Sequence, residues 1–162
     1  KYYSIDTEPN YNGSPITLGE ILQDEKDVPE KYFLTDQAKL EKFQYLRGPK
    51  KIERTSADGF TYTYSEGGMS PYDDLNLPGR TMLTSEGTVN RSTHFLFVND
   101  KYRLITPIEA ERLQDFPDDW TSKKKLSDGS VVEVSDKMRM FFMGNALVTE
   151  IVKEIGKYIA KL

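Results

Sequence analysis

Near the end of the chain, Met143-Gly144-Asn145-Ala146-Leu147-Val148 has the composition of a ligand-holding turn. Gly144 permits a tight turn and close backbone approach. Asn145 carries an amide donor and a carbonyl acceptor on one short side chain. Apolar residues at three-to-four spacing follow, so the turn is expected to open a final helix, where free amides suit a carboxylate. Taken alone, Gly-Asn before a helix also reads as an ordinary cap. A second candidate is the polar run from Arg80-Thr81-Met82 to Asn90-Arg91-Ser92-Thr93-His94. Arg80 and Arg91 suit phosphates, contacts that fix position rather than sequence. The same run also reads as a surface loop with capping side chains. His94 is the single histidine, and beside Phe95-Leu96-Phe97 it reads as a packed strand residue rather than a general base. A third candidate is Lys50-Lys51 with Arg47 and Arg54, as contacts to a nucleic-acid groove. The run Lys123-Lys124-Lys125 is another candidate patch, and the ordinary reading of both clusters is solvated loops.

What is missing narrows the chemistry. The chain has no cysteine, so disulfides, thiolate metal sites and a cysteine nucleophile are excluded within it. An intracellular setting fits. Acidic residues outnumber basic ones, 26 to 22, for a net charge of −4. A stand-alone DNA-binding domain usually has a basic footprint, so any nucleic-acid contact must come from local patches. No glycine-rich strand–helix fingerprint occurs. No apolar run approaches the ~20 residues that cross a bilayer, and the start lacks the apolar stretch of a signal peptide. The absence of an initiator Met suggests an excised piece of a longer protein, although processing leaves the same mark. At 162 residues the chain suits one domain, or two small units sharing a core.

The elements that must position these residues are legible in part. Ser14-Pro15 starts a short helix reaching Leu22. A second helix runs from Thr35 or Asp36 to Leu46 and stops at Gly48-Pro49. Ile52 to Thr55 and Phe60 to Tyr64 flank Asp58-Gly59, a hairpin signal. Phe95 to Val98 and Tyr102 to Leu104 flank Asn99-Asp100, a second hairpin, and Asp128-Gly129 marks a third between Leu126 and Val131. Thr106-Pro107-Ile108-Glu109 is a capping box with Pro at the first helical position, and Pro117 ends that helix. Val148, Ile151, Val152, Ile155, Ile159 and Leu162 form the apolar face of the last helix. A boundary falls near Pro78-Gly79, between a polar, irregular first half and a motif-dense second half.

Two stretches of the second half carry a family resemblance. One is Leu104-Ile105-Thr106-Pro107-Ile108-Glu109, then Glu111-Arg112-Leu113-Gln114, then Phe116-Pro117-Asp118-Asp119-Trp120. The other is Met143-Gly144-Asn145-Ala146-Leu147-Val148. In this order they resemble the last two conserved blocks of the DNA (cytosine-5) methyltransferases. Apart from the family, Phe-Pro-Asp-Asp-Trp reads as a helix-ending turn with a core aromatic. The resemblance implies an α+β fragment: a small twisted-β target-recognition domain, followed by the C-terminal helical segment that completes a Rossmann-like α/β methyltransferase domain. Residues 1–79 would hold most of the recognition domain, and residues 80–162 its end and the C-terminal part of the catalytic domain.

The resemblance further implies that Asn145, Ala146, Leu147 and Val148 touch S-adenosyl-L-methionine. Arg80, Thr81, Arg91, Lys50, Lys51 and Arg54 would contact double-stranded DNA, with Thr81-Met82 matching a Thr-hydrophobic pair near the extruded base. Leu104, Leu113 and Phe116 would be core. Arg103 and Arg112 would brace the recognition domain against the catalytic domain through charge-assisted hydrogen bonds. No catalytic residue and no metal site is expected here. The family's Phe-x-Gly-x-Gly cofactor loop, Pro-Cys nucleophile loop and Glu-Asn-Val segment lie N-terminal to these blocks and are absent from this chain. The expectation is therefore a fragment, inactive alone, of a cytoplasmic bacterial or phage enzyme of a restriction-modification system. Its catalytic half would be fused in cis or supplied in trans, and an exposed apolar face could pair two copies. The alternatives are a subunit of a split methyltransferase and a noncatalytic DNA-binding module.

Overall fold

In a computed structural model, residues 2–6, 8 and 13–161 are described. The fold is a small α+β arrangement of four helices and three separate two-stranded antiparallel sheets among these residues. Helix α1 (Gln37–Arg47) starts at Asp36, whose carboxylate accepts the amides of Ala38 and Lys39, and ends at Gly48 as its sequence predicts. It buries Phe43, which stacks on Phe95 at 4.7 Å between ring centroids. The stretch from Ser14 forms no helix beyond one short 3-10 turn, Gly19–Ile21. That turn is claimed instead by the loop ahead of Pro78: the amides of Leu18 and Gly19 donate to the carbonyls of Leu77 and Leu75.

Strands β1 (Lys50–Thr55) and β2 (Thr61–Glu66) form the first hairpin, turned by Gly59 at φ +84°. Strands β3 (Phe95–Val98) and β4 (Lys101–Leu104) form the second. Its two turn residues, Asn99 and Asp100, both have positive φ, the conformation that matches the natural twist of a tight hairpin. Phe33 bridges to Arg103 on the outer side of β4. Strands β5 (Lys123–Lys125) and β6 (Val131–Glu133) form the third. The lysine run is thus a strand rather than a loop, although it stays exposed, because Asp128-Gly129 folds it back on Val131.

Helix α2 (Pro107–Leu113) has the expected capping box: Thr106 accepts the Glu109 amide and Glu109 accepts the Thr106 amide. It ends before Pro117, not at it. Asp115 takes a left-handed φ of +60°, and the amides of Asp115 and Phe116 donate back to Arg112 and Glu111, closing a Schellman turn. Trp120, beyond this turn, is 65% exposed rather than core.

Helix α3 (Asp136–Asn145) is an element the sequence reading lacked. Ser135 caps it by accepting the Met138 amide. Met143, Gly144 and Asn145 are its last turn and do not open the next helix; α4 begins at Thr149 and runs to Ile159. Nothing in α4 is buried. Ile151, Val152, Ile155 and Ile159 share an exposed apolar side, while Glu150–Lys153 and Glu154–Lys157 pair on the polar side. Leu162, also expected on that apolar side, lies outside the described residues.

The core gathers Leu18, Ile21, Val28 and Tyr32 with Met82, Leu96, Ile105, Ala110, Met140 and Met143. Residues from both sides of position 79 therefore share one core, and Leu104, Leu113 and Phe116 pack against it. Among the described residues no helix is long and apolar enough to cross a membrane.

Candidate functional site

Two distant stretches meet in one open groove. Gly79, Arg80 and Thr81 form one side, and Ala146, Leu147, Val148 and Ile151 the other, with Leu113 and Gln114 beneath; the groove encloses about 470 Å3. Of the four residues expected to hold a cofactor, Ala146, Leu147 and Val148 line it, and Leu147 is 74% exposed. Asn145 does not line it. Its side-chain amide donates to the Phe141 carbonyl at 2.9 Å, finishing α3. The expected free amides are also fewer than the sequence suggests. Thr149 N–H donates to the Gln114 carbonyl at 3.1 Å, while the Gln114 side chain donates to Met143 at 2.9 Å. These two bonds fix the 146–148 turn to the end of α2. Gly144 does serve close approach, but to protein: a Cβ there would strike the backbone of Leu83 and Thr84. A larger cleft of about 520 Å3 lies elsewhere, beside Glu25, Glu30, Phe33 and Asp100. Its lining carries three carboxylates and one lysine and holds none of the candidate binding residues named from the sequence.

The residues expected on DNA divide sharply. Lys50 commits all three ammonium donors inside the fold, to the carbonyls of Leu46 and Gly48 and to Glu66. Arg91 pairs with Glu66 at 2.9 Å and donates to the Leu46 carbonyl and, through Nη2, to Gly67. Arg80 commits Nε and Nη2 to Asp73, at 2.5 and 3.2 Å. Arg47 is 1% exposed and cannot reach a groove. Lys51, Arg54 and Thr81 are exposed. Strand alternation puts Lys51 with Glu53, Thr63 and Ser65 on one face of the first hairpin, and Arg54 on the other, its guanidinium 4.1 Å from the Tyr64 ring centroid. Lys51 and Arg54 therefore cannot serve one flat contact surface together.

Sequence reasoning missed the carboxylates that hold this arrangement. Asp73 accepts from Arg47 Nη2 at 2.8 Å, from both donors of Arg80, and from the Phe95 amide at 2.8 Å. Burial alone would raise its carboxyl, but the hydrogen bonds from Arg80, Arg47 and the Phe95 amide prevail and hold it at about 2, below the usual 3.8. A depressed carboxyl stabilises the fold fully above its unfolded value and loses that contribution as pH falls through the folded value. Acid unfolding followed by circular dichroism is thus expected to lose stability from about pH 4 downward toward pH 2. In Asp73→Asn that component is absent; an unchanged pH profile refutes the assignment.

Glu109 and Glu111 play similar parts on α2. Arg103 meets Glu109 in a two-pronged pair at 2.7 and 2.8 Å, both residues buried, and Glu109 also accepts the Gln23 amide at 2.9 Å. Arg112 reaches the Ile21 and Leu22 carbonyls and forks onto Asp118. Arg112 thus ties the first eighty residues to the second half directly, whereas the Arg103 side chain stays within the second half and holds Glu109, which makes the link to Gln23. Arg139 on α3 donates to both oxygens of buried Glu111 at 3.0 Å. His94 is fully buried, with Nδ1 3.0 Å from Glu86 and its own amide donating to the same carboxylate. It is a packed residue, as its neighbours suggested. Acidic side chains clasping arginines left no periodic signal, because each partner lies 6 to 28 residues away.

A family model described as C-5 cytosine-specific DNA methylase matches residues 6–161. The type II methyltransferase M.Sau3AI of Staphylococcus aureus is 52% identical over 159 residues, which cover 98% of this chain and 35% of that protein. The chain thus spans about a third of the length of the relative it matches. Helix starts, arginine braces and the groove-lining 146–148 turn all fall within the matched span, and the chain belongs to the C-5 cytosine-specific DNA methylase family.

Proposed function

We propose that this chain is the C-terminal part of a DNA (cytosine-5) methyltransferase, supplying DNA target recognition and one wall of the S-adenosyl-L-methionine pocket. The observation carrying this reading is the groove in which Arg80-Thr81 meets Ala146-Leu147-Val148. Its residues suit part of such a ligand: apolar side chains at Ala146, Leu147, Val148 and Ile151 can lie against a flat base, and Thr81 lines the same groove. When bound, the cofactor supplies the methyl group. Cytosine C5 becomes nucleophilic after a cysteine adds to C6 of the extruded base. This chain has no cysteine, so the nucleophile belongs to polypeptide outside it. The exposed apolar side of α4 fits burial against that polypeptide, whether joined in cis or supplied in trans as a separate subunit. Recognition of double-stranded DNA is assigned to residues before Thr81, with Lys51 exposed on one hairpin face and Arg54 exposed on the other.

The reading is tested in two ways. In the complete enzyme, Leu147→Asp places a charge on the pocket wall and is expected to raise KM for S-adenosyl-L-methionine about tenfold, equivalent to ~1.4 kcal/mol. Non-specific DNA affinity should stay unchanged; an unaltered KM would sink the pocket assignment. The 162-residue chain alone is expected to bind DNA in a salt-sensitive manner and to transfer no methyl group. Lys51→Ala should lower the slope of log affinity against log salt by about one. Labelled methyl transfer to cytosine by the purified chain, without other polypeptide, overturns the division of labour.

A further inference from the structure

We infer that Asp73 is a positioning residue that sets the recognition hairpin in register with the Arg80-Thr81 rim of the groove. The inference rests on the proposed function for its meaning, though not for its structural test.

The hairpin has a clamped base. Arg47 is the last residue of α1 and leads through Gly48-Pro49 into β1. Its carbonyl accepts the Met69 amide at 2.8 Å, and its Nη1 donates to the Ser70 carbonyl at 3.1 Å. Arg47 therefore holds the incoming and outgoing legs of the hairpin together. Its Nη2 goes to Asp73 and the Thr93 carbonyl, at 2.8 and 2.9 Å, while its buried Nε makes no hydrogen bond among the described residues. Arg80 binds the same two groups. Its Nη2 donates to the same Thr93 carbonyl at 3.2 Å, while Nε and Nη2 fork onto Asp73. The residue after it, Thr81, lines the groove.

One carboxylate thus lies between two guanidiniums that share a single carbonyl. Without its charge the two cations would face each other across Thr93 with no counter-ion in that cluster, and the more exposed of them would leave. That residue is Arg80, about a third exposed, against 1% for Arg47. The hairpin base would stay assembled through Lys50, Arg91 and Glu66. The groove rim would lose its fixed distance from it. The arrangement converts DNA docking on the hairpin into a defined position for Thr81 on the groove rim.

The chain has no native cysteine, so a spin label can be placed at will. Labels at Ala57→Cys on the hairpin tip and Thr81→Cys on the rim report the distance directly by double electron–electron resonance. A single narrow distribution is expected in the parent sequence and a broadened or shifted one in Asp73→Asn. Arg80→Lys keeps the charge but loses the fork, and should broaden it likewise with little loss of thermal stability. Asp118→Asn, which breaks a remote ion pair, should leave the distribution narrow. Unchanged distributions in both Asp73→Asn and Arg80→Lys overturn the inference, as does equal broadening in Asp118→Asn. In the complete enzyme, both substitutions should lower kcat about 10- to 100-fold, the usual consequence of misplacement by roughly an ångström, while KM for DNA moves less than about twofold. A rise in KM for DNA with unchanged kcat also overturns it. Absence of any methylation by the unsubstituted enzyme would instead refute the proposed function.

Discussion

Glu109→Gln is expected to destabilise the chain by about 3–5 kcal/mol, the cost of leaving a buried charge without its partner. Glu109 is fully buried and Arg103 nearly so, and their two-pronged contact is short at both prongs. The carboxylate also receives the amides of Thr106 and Gln23, so it caps α2 and anchors the first eighty residues at once. A neutral amide presents an N–H where one of these donors now points. Arg103 cannot shed its proton to compensate. Urea unfolding measured by circular dichroism should show the midpoint falling, and the double substitution Arg103→Met with Glu109→Met should recover a substantial part of the loss. The exposed pair Glu150–Lys153 provides the contrast: Glu150→Gln should cost no more than about 0.5 kcal/mol. A Glu109→Gln effect as small as that would mean the pair is solvated in solution and does not brace the fold.

Gly144→Ala is expected to destabilise by about 3 kcal/mol, at the upper end of what overpacking costs, even though alanine is the better helix former. The added methyl would meet main-chain atoms of Leu83 and Thr84, which cannot rotate away as a side chain could. Helix α3 would have to lift from the loop that follows Met82, dragging the 146–148 turn with it and widening the groove. Gly156 on α4 makes the comparison sharp. Nothing lies within 4 Å of a Cβ built there, so Gly156→Ala should stabilise by about 0.5–1 kcal/mol through helix propensity alone. Thermal melts of the two variants should therefore move in opposite directions. Equal shifts of one sign would refute the close approach of α3 to residues 83–84.

The sequence alone determined the features that depend on near neighbours. Asp36 and Thr106 announce helix starts because a cap needs only an acceptor and the next few amides. Asn99-Asp100 announces a hairpin because left-handed backbone is tolerated by few residues. The ordered string from Leu104 to Trp120 followed by Gly144-Asn145 indicated the family. It also placed Ala146, Leu147 and Val148 together because they are consecutive.

Local pattern erred where a partner far along the chain competes. Ser14-Pro15 looked like a helix start, but the following residues bond to Leu75 and Leu77 instead. Gly144 looked like a ligand-facing turn, but its missing side chain makes room for a neighbouring backbone. Lys50, Arg80 and Arg91 looked like free cations, yet each is held by an acidic residue 7 to 25 positions away. Only the tertiary structure decided which charges are available and which side of the hairpin carries them. The physical reason is that a charge's role depends on what surrounds it in space: the desolvation and pairing that separate an internal brace from a solvated cation are properties of the folded surroundings, not of the residue type.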